Sequence, residues 1–332
     1  MKKSLIAMTI AAAAAAPMAA NAAGTVYGQL QAEITQIDND TADGSVINMD
    51  DRSRGRIGFK GSEEVGGGMT MIGKMEFKVD TADGDAGGGA SLTKREMMVG
   101  LKQGWGTFSM GRLKSPYKYA GGVKYDAFVA TALEARGVTM TGKVGTGNAM
   151  GHNSFQSDSV GISAMGGKVK LTYGIDEGAA NNATDGNMGD ISVSYKHKMG
   201  KKNEIVVAHV TTGGDAAPAA EYSSTKVGGK FGAIKFQVET GSLDTADHMN
   251  VFVAYGMKMG GGKLVLQGGI AEVDDTGTAN DEDTTDVTVG FVKKLSKKAR
   301  WFAGFRSTDV DADGTANDVT TTRLTYGMRF DY

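Results

Sequence analysis

Arg52, Arg54, Arg56 and Lys60 recur at even spacing along one short stretch. In an extended chain that spacing puts all four cations on one face, because successive side chains leave opposite sides of the pleat. Lys74 and Lys78 follow with Glu76 between them, so the next segment carries mixed charge by the same logic. Rows of fixed cations attract and steer anions; they break no bonds. Bond-making signatures are missing: the sequence has no Gly-x-Ser-x-Gly, no His-Glu-x-x-His and no Cys, and its 4 His are scattered. Asp309, Asp311 and Asp313 alternate like the opening of a calcium loop. The twelfth position is Thr320, which lacks the bidentate carboxylate, so these residues are a weak candidate and no metal or other cofactor is expected. The acidic run Asp281-Glu282-Asp283 reads as a solvated loop.

The elements that position such a ladder are strands. Val26, Leu30 and Ile34 share a face opposite Tyr27, Gln29, Gln31 and Glu33. Met69, Met71, Met75, Phe77 and Val79 oppose Thr70, Lys74, Glu76 and Lys78. At the C-terminus Leu324, Tyr326, Met328, Phe330 and Tyr332 oppose Arg323, Thr325, Gly327, Arg329 and Asp331. Period two means β-strand. Short Gly- or Lys-rich turns, such as 63–67, 102–104, 199–202, 259–262 and 295–298, alternate with longer connections rich in Asp, Thr, Ala and Gly. The long ones include 37–49, 80–91, 177–188, 243–247, 274–285 and 310–318, and the longest runs from 113 to about 150.

Composition narrows the class further. Of 332 residues 50 are Gly and only 3 Pro, the formal net charge is −2, and 40% are hydrophobic. Without a basic excess there is no case for a nucleic-acid partner. Lys2 and Lys3, the apolar run Leu5 to Ala16, and Ala20-Asn21-Ala22 form a secretory signal, expected over residues 1–22. After it no apolar run reaches the ~18 residues of a membrane helix. One domain, residues 23–332, is expected: an all-β transmembrane antiparallel barrel of about sixteen strands, short-turned on one side and long-looped on the other. Lipid supplies no partner for backbone N–H and C=O groups, so a spanning sheet must close, with one face toward hydrocarbon and one toward water. Four cations toward lipid would cost about 2–4 kcal/mol each near the midplane, which assigns the ladder to the lumen. A soluble β-sandwich would alternate too, with its apolar face inside.

The residues then resemble a known family. Gly24-Thr25-Val26-Tyr27-Gly28-Gln29-Leu30 resembles the first strand of general Gram-negative porins, and Ser53-Arg54-Gly55-Arg56-Ile57-Gly58-Phe59-Lys60-Gly61-Ser62-Glu63-Glu64-Val65-Gly66 its second strand and first turn. Arg95 to Leu101, Trp105-Gly106-Thr107-Phe108, Gly111-Arg112 and Ser115-Pro116 are similar to its fourth and fifth strands and the start of its third loop. Asp126-Ala127-Phe128 resembles the Asp-x-Phe inside that loop, and Asn153-Ser154-Phe155 the strand that follows. Phe330 and Tyr332 look like the aromatic signal read by the barrel-assembly machinery.

That resemblance implies a sixteen-stranded outer-membrane barrel, a homotrimer, with the third loop (113–150) folded into the lumen as a constriction. Small hydrophilic solutes and ions would diffuse passively, and outer-membrane lipid and lipopolysaccharide would surround the barrel. It also implies a basic wall at Arg56 and Arg95 facing acidic residues Asp126 and Glu134. One conflict stands: alternation puts Arg95 with Met97, Val99 and Leu101, so parity alone does not aim it at the lumen. The candidate pore residues are Arg52, Arg54, Arg56, Lys60, Lys74, Lys78, Arg95, Arg112, Asp126, Glu134 and Arg136. The third loop holds Lys114, Lys118, Lys124, Arg136 and Lys143 against Asp126 and Glu134, so mild anion preference is expected. The other function class for such a barrel is an adhesin, receptor or structural tether without significant conductance. A barrel-embedded enzyme is disfavoured, since no nucleophile–base pair is evident.

Overall fold

The computed structural model describes residues 24–40, 44–52, 54–82, 92–135, 155–175, 191–212, 222–243, 246–275, 281–312 and 318–332. The expected signal, residues 1–22, lies outside them. Among the described residues seventeen strands form one antiparallel sheet. They are β1 (Thr25–Asn39), β2 (Val46–Asp50), β3 (Arg56–Gly66), β4 (Met69–Val79), β5 (Leu92–Gln103) and β6 (Gly106–Lys114). β7 (Phe155–Ala164), β8 (Val169–Gly174), β9 (Ile191–Met199), β10 (Asn203–Thr212), β11 (Tyr222–Phe231) and β12 (Ile234–Leu243) follow. β13 (Ala246–Met259), β14 (Gly262–Asp275), β15 (Glu282–Lys294), β16 (Ala299–Ala312) and β17 (Val319–Asp331) complete the wall.

Each strand from β3 to β17 pairs with the next, and β17 returns to β1 with Gln29 opposite Asp331 and Asn39 opposite Thr321. The sheet is therefore closed. β2 pairs with the Glu33–Ile37 half of β1 and β3 with its Thr25–Gln29 half. Thus β2 and β3 share one place in the wall, and the closed barrel is sixteen-stranded with one extra strand. The 37–49 connection expected as a loop is largely strand for this reason, since β1 and β2 form a hairpin. The 243–247 connection is also shorter than expected, with β12 ending at Leu243 and β13 starting at Ala246. At the short-turn end, Gly260 and Gly261 take φ of 56° and 73°. A two-residue hairpin loop requires that left-handed pair, and glycine adopts it without a Cβ penalty.

Burial inverts the pattern of a soluble sandwich. In β17 Leu324, Tyr326, Met328 and Phe330 are 59, 48, 55 and 47% exposed, whereas Thr325 between them is 2% exposed. In β1 Val26, Leu30 and Ile34 face out while Gln29, Gln31, Glu33 and Thr35 are buried. The apolar rows have only the bilayer or another subunit to cover them. Phe291, Trp301 and Tyr326 join across β15, β16 and β17 with ring centroids 5.4 and 6.1 Å apart. Such aromatic bands suit the membrane–water boundary. The inner face is not uniformly ionic. Val206, Ala208 and Val210 of β10, Ala271 and Val273 of β14 and Phe302 of β16 are buried there in apolar patches. Their covering is the segment after β6.

Candidate functional site

After β6 the chain turns into the barrel. It forms a 3-10 turn at Tyr117–Tyr119, a one-turn helix α1 (Gly122–Tyr125), and further turns to Ala135. Backbone polar groups away from a sheet need other partners, and the inner wall supplies them strand by strand. On β9, Ser192 Oγ shares a hydrogen bond with Ser115 Oγ at 2.9 Å and accepts one from Tyr117 N at 3.0 Å. The Tyr117 hydroxyl donates to Glu239 Oε1 of β12 at 2.5 Å, and Lys226 Nζ of β11 lies 4.0 Å from the Tyr117 ring centroid. Lys226 is itself 3.4 Å from Glu239 Oε2, so two buried charges neutralise one another under the aromatic ring. Gln237 Oε1 accepts from Gly122 N, and Lys235 Nζ donates to Tyr125 O at 2.8 Å. On β14 and β15 Gln267 Nε2 and Thr288 Oγ1 both donate to Leu133 O, at 3.2 and 3.1 Å. On β1 Gln31 Nε2 donates to Ala130 O at 2.7 Å and Glu33 Oε1 accepts from Ala132 N at 2.7 Å. The segment thus crosses the interior from β9 round to β1.

The wall it leaves uncovered, β3 to β8, is basic. Glu76 of β4 is its hub: Arg95 Nε donates to Oε1 at 2.9 Å, Tyr27 OH donates to Oε2 at 2.9 Å, and Arg56 and Lys74 lie at 3.7 and 3.6 Å. Glu96 of β5 takes Lys74 at 2.5 Å and Lys114 at 3.2 Å. Four cations therefore share two carboxylates. The Phe155 ring lies between three more contacts, with Arg95, Arg112 and Lys118 at 5.1, 5.8 and 4.8 Å from its centroid. Wall and inward segment together bound a space into which these charged side chains face.

Residues 7–313 match the family model described as Gram-negative porin. The chain belongs to the Gram-negative porin family. Over 129 residues this porin is 37% identical to the major outer membrane protein P.IB of Neisseria meningitidis serogroup B, a match covering 37% of this chain and 37% of that protein. The match thus spans little more than a third of the relative's length. In fold it resembles an anion-selective porin from Comamonas acidovorans, with a TM-score of 0.71 and 18% identity over 94% of this chain and 100% of that one. It also resembles the trimer form of in-vitro folded OmpT from Vibrio cholerae, with a TM-score of 0.62 and 18% identity over 94% and 100%. The porin is an outer-membrane β-barrel.

The sequence-derived candidates fall into distinct places in this porin. Arg56 and Lys60 stand on β3, Lys60 with its Nζ 5.6 Å from the Tyr27 ring centroid. Arg52 and Arg54 are not on that strand, contrary to the single ladder expected, because the wall is interrupted between β2 and β3. Arg52 has φ of 50° and pairs with Glu33 at 3.3 Å and Asp50 at 3.4 Å. The Arg54 carbonyl accepts from Gln29 Nε2 at 3.3 Å. Lys78 pairs with Asp80 at 2.7 Å. Arg112 Nε donates to Arg95 O at 3.0 Å, and its guanidinium reaches Ser157 Oγ.

The parity conflict at Arg95 has a structural answer. Met75 pairs with Met97 but Phe77 pairs with Lys94, so Arg95 and Glu96 together face the single residue Glu76. That β-bulge resets the alternation and brings two consecutive side chains to the same ion cluster. Asp126 departs from its expected place opposite the basic wall. Its Oδ1 accepts from Phe128 N at 2.6 Å and Gln267 Nε2 at 2.8 Å, and its Oδ2 from Ala135 N at 3.1 Å. It is 4% exposed and fastens the segment to itself and to β14. Glu134 Oε2 accepts from Ala130 N.

Arg136 and Asp313 lie outside the described residues. Asp309 and Asp311 belong to β16, where Asp309 Oδ1 accepts from Thr320 Oγ1 at 2.9 Å, so this stretch is strand and not a coordinating loop. Tyr332 N donates to Gly28 O at 3.1 Å and Gly28 N to Tyr332 O at 3.2 Å, which ties the last residue to β1. Sequence reasoning missed the carboxylates Glu96 and Glu33 and the amides Gln31, Gln237 and Gln267, which hold the cations and the inward segment. Their signal was there: each is polar at an inward position of its strand.

Proposed function

We propose that this porin is a water-filled channel for passive diffusion of small hydrophilic solutes and ions, with a mild preference for anions, acting as a homotrimer. The observation that carries this reading is the crossing of residues 115–135 through the interior, which leaves open a wall where Arg56, Arg95, Lys74 and Lys114 share Glu76 and Glu96. A narrowing lined by fixed cations lowers the barrier for anions and raises it for cations. Residues 1–22 act as a leader, 23–332 as the barrel and 113–150 as the constriction loop. The pore set comprises Arg52, Arg54, Arg56, Lys60, Lys74, Lys78, Arg95, Arg112, Glu134 and Arg136, with Asp126 fastening the loop. Phe330 and Tyr332 serve the barrel-assembly machinery. Membership of the porin family supports a channel rather than an enzyme. The trimeric form of the similar OmpT supports self-association, as do the exposed apolar rows of β1 and β2.

Single-channel recording in planar bilayers under a salt gradient tests this. Stepwise openings with a reversal potential displaced toward the chloride equilibrium value are expected. A barrel that inserts without conducting steps would point to an adhesin, receptor or tether, and a clear cation preference would overturn the selectivity assignment.

A further inference from the structure

Beside the Glu76 cluster the interior opens into a cavity of about 570 Å³ between the β4–β10 wall and the first part of the inward segment. That volume lies in the range of sites that hold small ligands, ~300–1,000 Å³. Its lining includes Lys74, Lys114, Lys124, Lys170 and Lys196, and Glu96 is its single carboxylate. We propose that this cavity is a binding site for small multivalent anions, solutes carrying two or more carboxylate or phosphate groups. The proposal rests on the channel reading and adds to it a solute class that dwells rather than merely passes.

The charge inventory carries the argument. Glu96 is already shared by Lys74 and Lys114, and Lys124 is held by Glu204 outside the lining. Lys170 and Lys196 have no carboxylate within ion-pair distance among the described residues. They sit on adjacent strands, with Lys170 opposite Ser194 and Tyr195 opposite Val169, so the two ammonium groups are diagonal neighbours on the inner face. Like charges so placed repel one another, and a bound anion relieves the repulsion. The hydroxyl of Ser194 lies in the same lining and offers a donor to an oxyanion. Lysine is a hydrated point charge on a flexible stem and does not impose the bidentate geometry of arginine. A cage of such groups selects for total charge and lets the solute exchange, as transport requires. A monovalent anion offsets only part of the Lys170–Lys196 charge, whereas a multivalent one can bridge the pair, with the other lysines of the lining nearby.

The test uses the full-length protein in planar bilayers in chloride, with inorganic pyrophosphate, citrate or acetate added. Pyrophosphate and citrate should lower the chloride current saturably while acetate leaves it unchanged. In Lys170→Gln/Lys196→Gln the half-blocking concentration should rise at least about tenfold, with Lys170→Arg/Lys196→Arg retaining the block. Pyrophosphate acting alone would assign the site to phosphates, and citrate acting alone to carboxylates. A block that never saturates, or one unchanged in the Gln variant, would overturn the proposal. Calorimetric titration of pyrophosphate into the detergent-solubilised protein separates the two readings. Binding without conductance would sink the channel and keep the site; conductance without binding would sink the site alone.

Discussion

Arg95 Nε lies 2.9 Å from Glu76 Oε1, and a β-bulge in β5 is what brings it there. The same carboxylate lies within 3.7 Å of Arg56 and within 3.6 Å of Lys74. Glu76 therefore sets how much positive field the basic wall shows to a passing ion. Glu76→Gln is expected to raise the anion-to-cation permeability ratio by about twofold or more, read from reversal potentials. Arg95→Gln should shift it the opposite way. Because the two groups are in contact, their stability effects should couple by about 0.5–3 kcal/mol in a double-mutant cycle.

Asp126 gives a different prediction. Its oxygens accept three hydrogen bonds that close the inward segment on itself and on β14. Asp126→Asn leaves a donor facing a backbone N–H, at a cost of about 1–3 kcal/mol. Open-channel current noise should increase, with little change in selectivity. A selectivity shift as large as that of Arg95→Gln would place Asp126 back in the ion path.

Contact between the inward segment and β11 depends on the lack of a side chain at Gly228. A Cβ there would fall 1.9 Å from Ala120 O, a backbone atom that has no rotamer to adjust. Gly228→Ala is expected to push the segment off the wall, costing about 1–3 kcal/mol and altering conductance. Thermal unfolding in detergent and unitary conductance measure the two effects.

Much of this architecture was legible in the sequence and some of it was not, for physical reasons. Period-two alternation in Leu324 to Tyr332 identified a strand and its apolar face, and the asymmetry of short turns and long connections turned that face toward lipid, since a sandwich alternates too. Arg95 was misaligned by the same rule, because a bulge inserts one residue and leaves no mark in composition. The break between β2 and β3 was hidden likewise: spacing two describes an unbroken strand, and the turn at Arg52 interrupts it. Glu76 was visible as the residue between Lys74 and Lys78, but its role as hub depends on Arg56 and Arg95 arriving from neighbouring strands. Asp126 carries the right charge in the right loop, yet its hydrogen bonds to Phe128, Ala135 and Gln267 are tertiary facts.

Barrel closure should be sensitive at the last residue. Tyr332 exchanges two backbone hydrogen bonds with Gly28, and its ring stacks near Phe330 at 6.4 Å. Deleting Tyr332 removes both bonds at the seam between β17 and β1. A lower yield of the compact, heat-modifiable band on gels is expected after refolding, with Tyr332→Phe close to the parent protein.

The central claim is that the polar face of this wall lines water and the apolar face does not. The chain has no cysteine, so single cysteines report cleanly. Lys60→Cys and Phe59→Cys are adjacent positions on β3 that point to opposite sides. In a conducting bilayer, a negatively charged, membrane-impermeant thiosulfonate should change the current through Lys60→Cys and leave Phe59→Cys unaffected. Modification of the current at Phe59→Cys, with none at Lys60→Cys, would contradict the account.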